Sequence, residues 1–332
     1  MTANSSASVK PYSEMTFREM LNVSFKSDDT EEWLDVHFTR PIGLVFALGW
    51  MKFNVHPNVV TVISIFLGIG AGVMFYYPDL LHNIIGVALL VLANFCDSTD
   101  GQMARLTGKK TLLGRVLDGF SGDVWFFCIY AAICLRLYHE TIPGTTTNWG
   151  LWIWLLCAVA GLLCHSPQAS LSDYYRQIHL WMLKGRRGSE LDNYRQQRAI
   201  YDSIPEDEPF LKRLFSKAFY YNYANYCRSQ ERRTPNFQKF QAGIAEHYGD
   251  VEKIPAGMRD DFLRGSRPLM KYTNILTFNT RAICLYIGCL LGQPWIFPVF
   301  EILVLTCLYV YMHRRHEALC ATLYAKYFNS KE

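Results

Sequence analysis

The sequence predicts an all-α integral membrane protein: a six-transmembrane-helix bundle with an N-terminal interfacial helix and a polar, mostly helical cytoplasmic insert. Hydropathy marks six segments, at roughly 59–77, 80–96, 115–137, 149–169, 274–292 and 295–312. Hydrophobic residues make up 50% of the 332, yet the mean hydropathy is only +0.03, so a sizeable polar part must dilute the spans. Basic residues are unevenly placed. The turn after the second span holds Arg105, Lys109, Lys110 and Arg115, and the sixth span ends in His313-Arg314-Arg315-His316. The loops at 77–83, 138–149 and 292–295 contain neither Lys nor Arg. The positive-inside bias therefore puts both termini and the second turn on the cytoplasmic face.

Taken in order, residues 1–32 form a polar tail without the apolar core of a secretory signal. Residues 33–176 hold an interfacial helix and spans one to four. Ile42–Lys52 is apolar, too short to cross comfortably and flanked by Trp33, Trp50 and Lys52. It reads as a helix lying in the membrane interface; the alternative is a loosely held soluble helix. Residues 177–271 form the insert, broken by Pro205, Pro209, Pro235, Pro255 and Pro268. Within it, Phe210–Arg233 suits a helix with an aromatic stripe of Phe215, Phe219, Tyr223 and Tyr226, either for packing or as a lid. Residues 272–332 supply spans five and six and a C-terminal tail.

The formal charge of +4 is too small to argue for a nucleic-acid partner. The ten cysteines show no Cys-x-x-Cys spacing and mostly fall within spans, which suits small buried hydrophobes better than disulfides or zinc ligands.

The chemistry concentrates at 97–123. Asp97, Asp100, Asp118 and Asp123 flank a short basic turn, with Gly101 and Gly114 between them, and apolar segments lie on both sides. Ionisable residues at the end of a membrane helix are expensive and usually functional. Carboxylates alone select hard divalent cations such as Mg²⁺, Mn²⁺ or Ca²⁺. A paired metal site at a membrane face suits chemistry on a phosphorylated substrate.

Asp97-Ser-Thr-Asp100-Gly101-Gln-Met-Ala104-Arg105, then Gly114 and Asp118, resembles the signature of the CDP-alcohol phosphatidyltransferase family, D-x2-D-G-x2-A-R-x8-G-x3-D-x3-D. His56-Pro57-Asn58-Val-Val-Thr61 resembles the Pro-Asn-x-x-Thr that opens the family's first span. The resemblance covers about residues 40–176. It implies an enzyme that moves a substituted phosphoryl group from a CDP-linked donor to an alcohol, releasing CMP. It also implies two Mg²⁺ or Mn²⁺ ions on Asp97, Asp100, Asp118 and Asp123, a homodimer, and a multi-pass location with the site on the cytoplasmic face (the inner membrane, were the source bacterial). Asn58 and Thr61 would reach the cytosine or ribose. Gly101, Ala104 and Gly114 would let the nucleotide approach the backbone closely, unless the glycines merely serve turns and packing. Arg105 would orient phosphate or anchor the interface. Gly68 and Gly72 offer a small-residue face for the dimer or for contacts within one subunit.

One departure stands out. The family's last aspartate follows the third by four residues, but here that position is Gly122 and the acid is Asp123. Four residues along a helix turn a side chain by about 40°, five by about 140°. If Asp123 is to serve as the general base, a π-bulge, eased by Gly119 and Gly122, must realign it. For the acceptor, Arg115, Lys271 and Arg281 are the candidate cations, suiting an alcohol that carries phosphate. The favoured reading is transfer from CDP-diacylglycerol to inositol phosphate, inositol or glycerol phosphate. The alternative is a CDP-ethanolamine or CDP-choline type donor with diacylglycerol or ceramide as acceptor. An intramembrane prenyltransferase would need a second aspartate motif, where the later spans offer only Glu301; a cation transporter would not explain the glycines at fixed offsets.

Overall fold

The computed structural model describes residues 12–25, 27, 29–109 and 112–329. These fold into two units, Met1–Cys164 with Asn279–Ile302, and His165–Phe278 with Leu303–Glu332.

The first unit begins with α1 (Phe17–Ser24), opened by a capping box in which Thr16 and Glu19 satisfy each other's backbone N–H groups. A π-helical turn, Asp35–Thr39, leads into α2 (Arg40–Lys52), with Pro41 in the first turn, where its missing N–H costs nothing. α3 (Pro57–Tyr76) is capped by the His56 ring, which accepts from Asn58 N at 3.2 Å. α4 (Leu80–Leu106) is capped by Asp79, which accepts from His82 N at 3.1 Å; the His82 ring, 2.6 Å from the other carboxylate oxygen, holds the Asp79 carboxyl below its ordinary pKa. α5 (Leu112–Leu137) follows, then α6 (Leu151–Ala158).

Glycines let α3 approach its neighbours. A Cβ at Gly68 would lie 1.9 Å from Trp125 Cδ1, and one at Gly72 would lie 2.8 Å from Cys128 Cβ. The Gly68/Gly72 face is therefore filled by α5 of the same chain, which removes the sequence argument for its use in a dimer. Near the far end of α5, buried Arg136 donates to Phe75 O at 3.2 Å and to Asn83 Oδ1 at 3.1 Å, tying together α3, α4 and α5.

The second unit begins with α7 (Ser166–Lys184), preceded in sequence by the π-helical turn Val159–His165. The insert is helical as expected: α8 (Tyr194–Asp202), α9 (Phe210–Arg233), α10 (Pro235–Tyr248), α11 (Ala256–Ser266) and α12 (Met270–Ile275). Its prolines open helices: Pro209 and Pro255 are the N-caps of α9 and α11, and Pro235 starts α10. On α9, Phe219, Tyr223 and Tyr226 stack in series and Tyr223 Oη donates to Asp192, whereas Phe215 is exposed. α13 (Phe278–Leu290) and α14 (Ile296–Phe300) precede α15 (Thr306–Phe328), against which α10 and α11 pack through Phe240 and Phe262.

Among the described residues, five helices are long and apolar enough to cross a membrane: Pro57–Tyr76, Leu80–Leu106, Leu117–Leu137, Leu151–Lys184 and Ile296–Phe328. The remaining expected span, 274–292, comes as the end of α12 and the 13 residues of α13, with a break at Leu276–Thr277.

Candidate active site and metal centre

α4 does not stop where its apolar run ends. It continues to Leu106, so Asp97 and Asp100 stand one turn apart on one face. α5 brings Asp118 alongside. One carboxylate oxygen from each of Asp97, Asp100 and Asp118 lies within 4.8 Å of the others. Asp100 is buried, Asp97 half-buried and Asp118 exposed. Two hydroxyls brace the buried side. Thr61 on α3 donates to Asp100 Oδ2. Ser121 Oγ, one turn along α5 from Asp118, lies 3.0 Å from Asp97 Oδ1 and 2.6 Å from Asp118 O. α2 is tied to the same stretch of α4: Thr99 donates to Gly43 O at 3.2 Å and Gln102 Nε2 to Arg40 O at 3.1 Å.

Three carboxylates this close repel one another, and an oxygen-only donor set selects a hard divalent cation as counter-charge. The residues present therefore fit Mg²⁺ or Mn²⁺.

The expected nucleotide wall lies beside the acids. A Cβ on Gly101 would meet only the Arg105 guanidinium, at 3.4 Å, an ordinary contact. Packing does not require glycine there, and Arg105 folds back over Gly101 toward the carboxylates. Asn58, Ala104 and Gly114 are half-buried. A cleft of about 580 Å³ opens next to Arg105, lined also by Asn54, Val55, Pro57 and Lys109. The Thr61 hydroxyl is engaged by Asp100. Ser121 was not foreseen, although its place three residues after Asp118 puts it on the same helix face.

Three further expectations change. The π-bulge is absent, because α5 is α-helical from Leu112 to Leu137. Asp123 is consequently turned about 140° from Asp118, is exposed, and stands outside the three-acid cluster. Arg281 is 1% exposed and pairs with Glu301, which is 0% exposed and also accepts from Tyr130. Its charge is neutralised inside the first unit and is not presented to an acceptor phosphate. Lys271 belongs to the second unit, and the Arg115 side chain lies outside the described residues.

Residues 54–172 match the model of the CDP-alcohol phosphatidyltransferase family. Over this segment, somewhat more than a third of the chain, the protein is similar to that family. Its members are transferases of substituted phosphate groups. An uncharacterized protein of Aquifex aeolicus (strain VF5) is 42% identical over 67 residues, 20% of this chain and 33% of that protein. The chain thus spans about a third of the length of this relative.

Proposed function

We propose that the protein is a membrane phospholipid synthase that transfers a phosphatidyl group from CDP-diacylglycerol to a small alcohol, releasing CMP. The observation that carries this reading is the convergence of Asp97, Asp100 and Asp118 within 4.8 Å, beside Gly101, whose nearest neighbour is the flexible Arg105 guanidinium.

Asp97, Asp100 and Asp118 would hold a divalent cation, which would supply charge neutralisation of diphosphate oxygens and of departing CMP. The chain's own residues do the rest. Thr61 and Ser121 fix the rotamers of Asp100 and Asp97, so the carboxylates are aimed before substrate arrives. Arg105, folded over Gly101, orients a donor phosphate. The cleft beside Arg105 takes the nucleoside, against Asn54 and Pro57. The acceptor oxygen forms a bond to phosphorus as the bond to the CMP oxygen breaks. Asp118, the exposed member of the cluster, takes the hydroxyl proton.

The Arg281–Glu301 pairing favours a second reading for the acceptor, an alcohol without phosphate, as with free inositol, or diacylglycerol receiving the head group of a CDP-alcohol.

CMP release by the purified full-length protein tests both readings, with CDP-diacylglycerol, CDP-ethanolamine or CDP-choline crossed with a panel of small and lipid alcohols. CMP should appear with CDP-diacylglycerol plus a small alcohol, stop on chelation and return with Mg²⁺ or Mn²⁺. No CMP from any CDP donor with metal restored would overturn the proposal.

A further inference from the structure

We propose that a cleft in the second unit binds the phosphate of a phosphate ester, supplied by a lipid headgroup or by a soluble molecule. The cleft holds about 440 Å³ between the 264–272 segment and the C-terminal half of α15. Arg264, Lys271 and Arg315 line it, with no acid among the lining residues. Two acids lie close to the lining residues in sequence: Glu317 is buried and accepts from Asn236 N at 2.8 Å, and Asp261 has its carboxylate engaged by Lys326 at 2.5 Å and Tyr327 at 2.8 Å and lies 3.9 Å from the Arg264 guanidinium.

All three lining cations are exposed, and the long Arg264–Asp261 contact is secondary to the one that Asp261 makes with Lys326. Like charges gathered round one concavity repel, and an anion relieves that repulsion. Two guanidinium forks and one ammonium suit the tetrahedral oxygens of phosphate. The rest of the cleft suits what a phosphate ester carries. Tyr272 and Tyr311 meet edge to face at 5.2 Å between ring centroids and form one wall. Leu319 fills the space that Gly265 leaves, where a Cβ would lie 2.4 Å from Leu319 Cδ1. Arg315 also stands where the apolar run of the last span gives way to His313-Arg314-Arg315-His316, which is the level of lipid phosphates. Nothing in this cleft belongs to the aspartate cluster, so its occupancy is measured independently of phosphatidyl transfer.

The test is amine acylation of the full chain in nanodiscs, read by peptide mass spectrometry as the labelling of Lys271 relative to exposed Lys212. Three conditions are compared: phosphatidylcholine alone, phosphatidylcholine with phosphatidic acid, and phosphatidylcholine with soluble glycerol 3-phosphate. Lys271 should be acylated several-fold more slowly in the second or the third. Protection by phosphatidic acid alone identifies a lipid headgroup, and protection by glycerol 3-phosphate a soluble ester. Arg264→Gln and Arg315→Gln should each shift the protecting concentration about fivefold upward. Equal Lys271 labelling in all three conditions, or protection undiminished in the double variant, overturns the proposal.

Discussion

Asp97, Asp100 and Asp118 differ in their surroundings, and the difference sets what each replacement should do. An amide keeps the shape of a carboxylate but cannot neutralise a divalent cation, so each Asp→Asn variant should lose at least about 100-fold in turnover while remaining folded. Near-normal turnover at low Mg²⁺ would remove that residue from the metal site. Thr61→Val and Ser121→Ala keep all three carboxylates but release Asp100 and Asp97 from their hydrogen bonds. Each should raise the Mg²⁺ concentration needed for half-activation by about 10–100-fold. Asp123→Asn, on the far side of α5, should stay within a few-fold of the unmodified rate. Gly122 has nothing within 4 Å of an added Cβ, so Gly122→Asp should fold normally and place an acid at the family's fourth position. A large loss in Asp123→Asn, with CDP binding intact, would contradict the assignment of proton transfer to Asp118.

At the level of helices, the glycines separate into two kinds. Gly68 is a packing glycine: even Ala there drives a Cβ into the Trp125 ring and should cost about 1–3 kcal/mol, read as a lowered thermal midpoint. Gly101 faces only a flexible guanidinium, so Gly101→Ala should leave the midpoint unchanged, while Gly101→Leu should weaken CDP binding in a titration. Equal effects of Leu at both positions on stability would return Gly101 to the packing class. In the second unit, Lys326 and Tyr327 hold the Asp261 carboxyl below its ordinary value of 3.8. A depressed folded pKa contributes stability above the unfolded value and loses it as pH falls through the folded one. Hydrogen-exchange protection factors at 322–328, taken relative to the intrinsic rate at each pH, should therefore fall below about pH 4, and Asp261→Asn should lower them in the same way at neutral pH.

Across the molecule, the direction of α13 decides the number of crossings. Its start is tied by Asn279 Nδ2 to Glu32 Oε2 at 2.7 Å and Asp35 Oδ1 at 3.2 Å, just ahead of α2, which is anchored beside the acids. The turn after it brings Trp295 to 6.2 Å from Trp149, at the head of α6. α13 thus runs between the two ends of the first unit, although 13 residues rise only about 20 Å. Six crossings put both termini on one side of the membrane and five put them on opposite sides. Impermeant labelling of cysteines introduced near each end should find both on the face that carries Arg105. The Arg281–Glu301 pair sits inside this unit, and Glu301→Gln strands a buried cation, so it should cost about 3–5 kcal/mol. Arg281→Met with Glu301→Leu should recover most of that loss. A thermal midpoint unchanged in Glu301→Gln would mean that the pair carries no net burden.

The sequence by itself determined the helical class, the apolar segments of α3 to α6 and α15, an insert broken at its prolines, and Asp97, Asp100 and Asp118 as candidate metal ligands. Those features are local: hydropathy, proline positions and the one-turn spacing of Asp97 and Asp100 can be read within a single helix, and Asp118 was marked by its offset in the motif. The tertiary structure decided which groups meet across helices. It gave Thr61 to Asp100 and Ser121 to Asp97, filled the Gly68/Gly72 face with α5, neutralised Arg281 with Glu301 from 20 residues further on, and left Asp123 outside the cluster. A hydroxyl or a guanidinium carries no mark in sequence of its distant partner. Side-chain direction over five residues depends on whether a helix stays regular, and α5 is regular from Leu112 to Leu137.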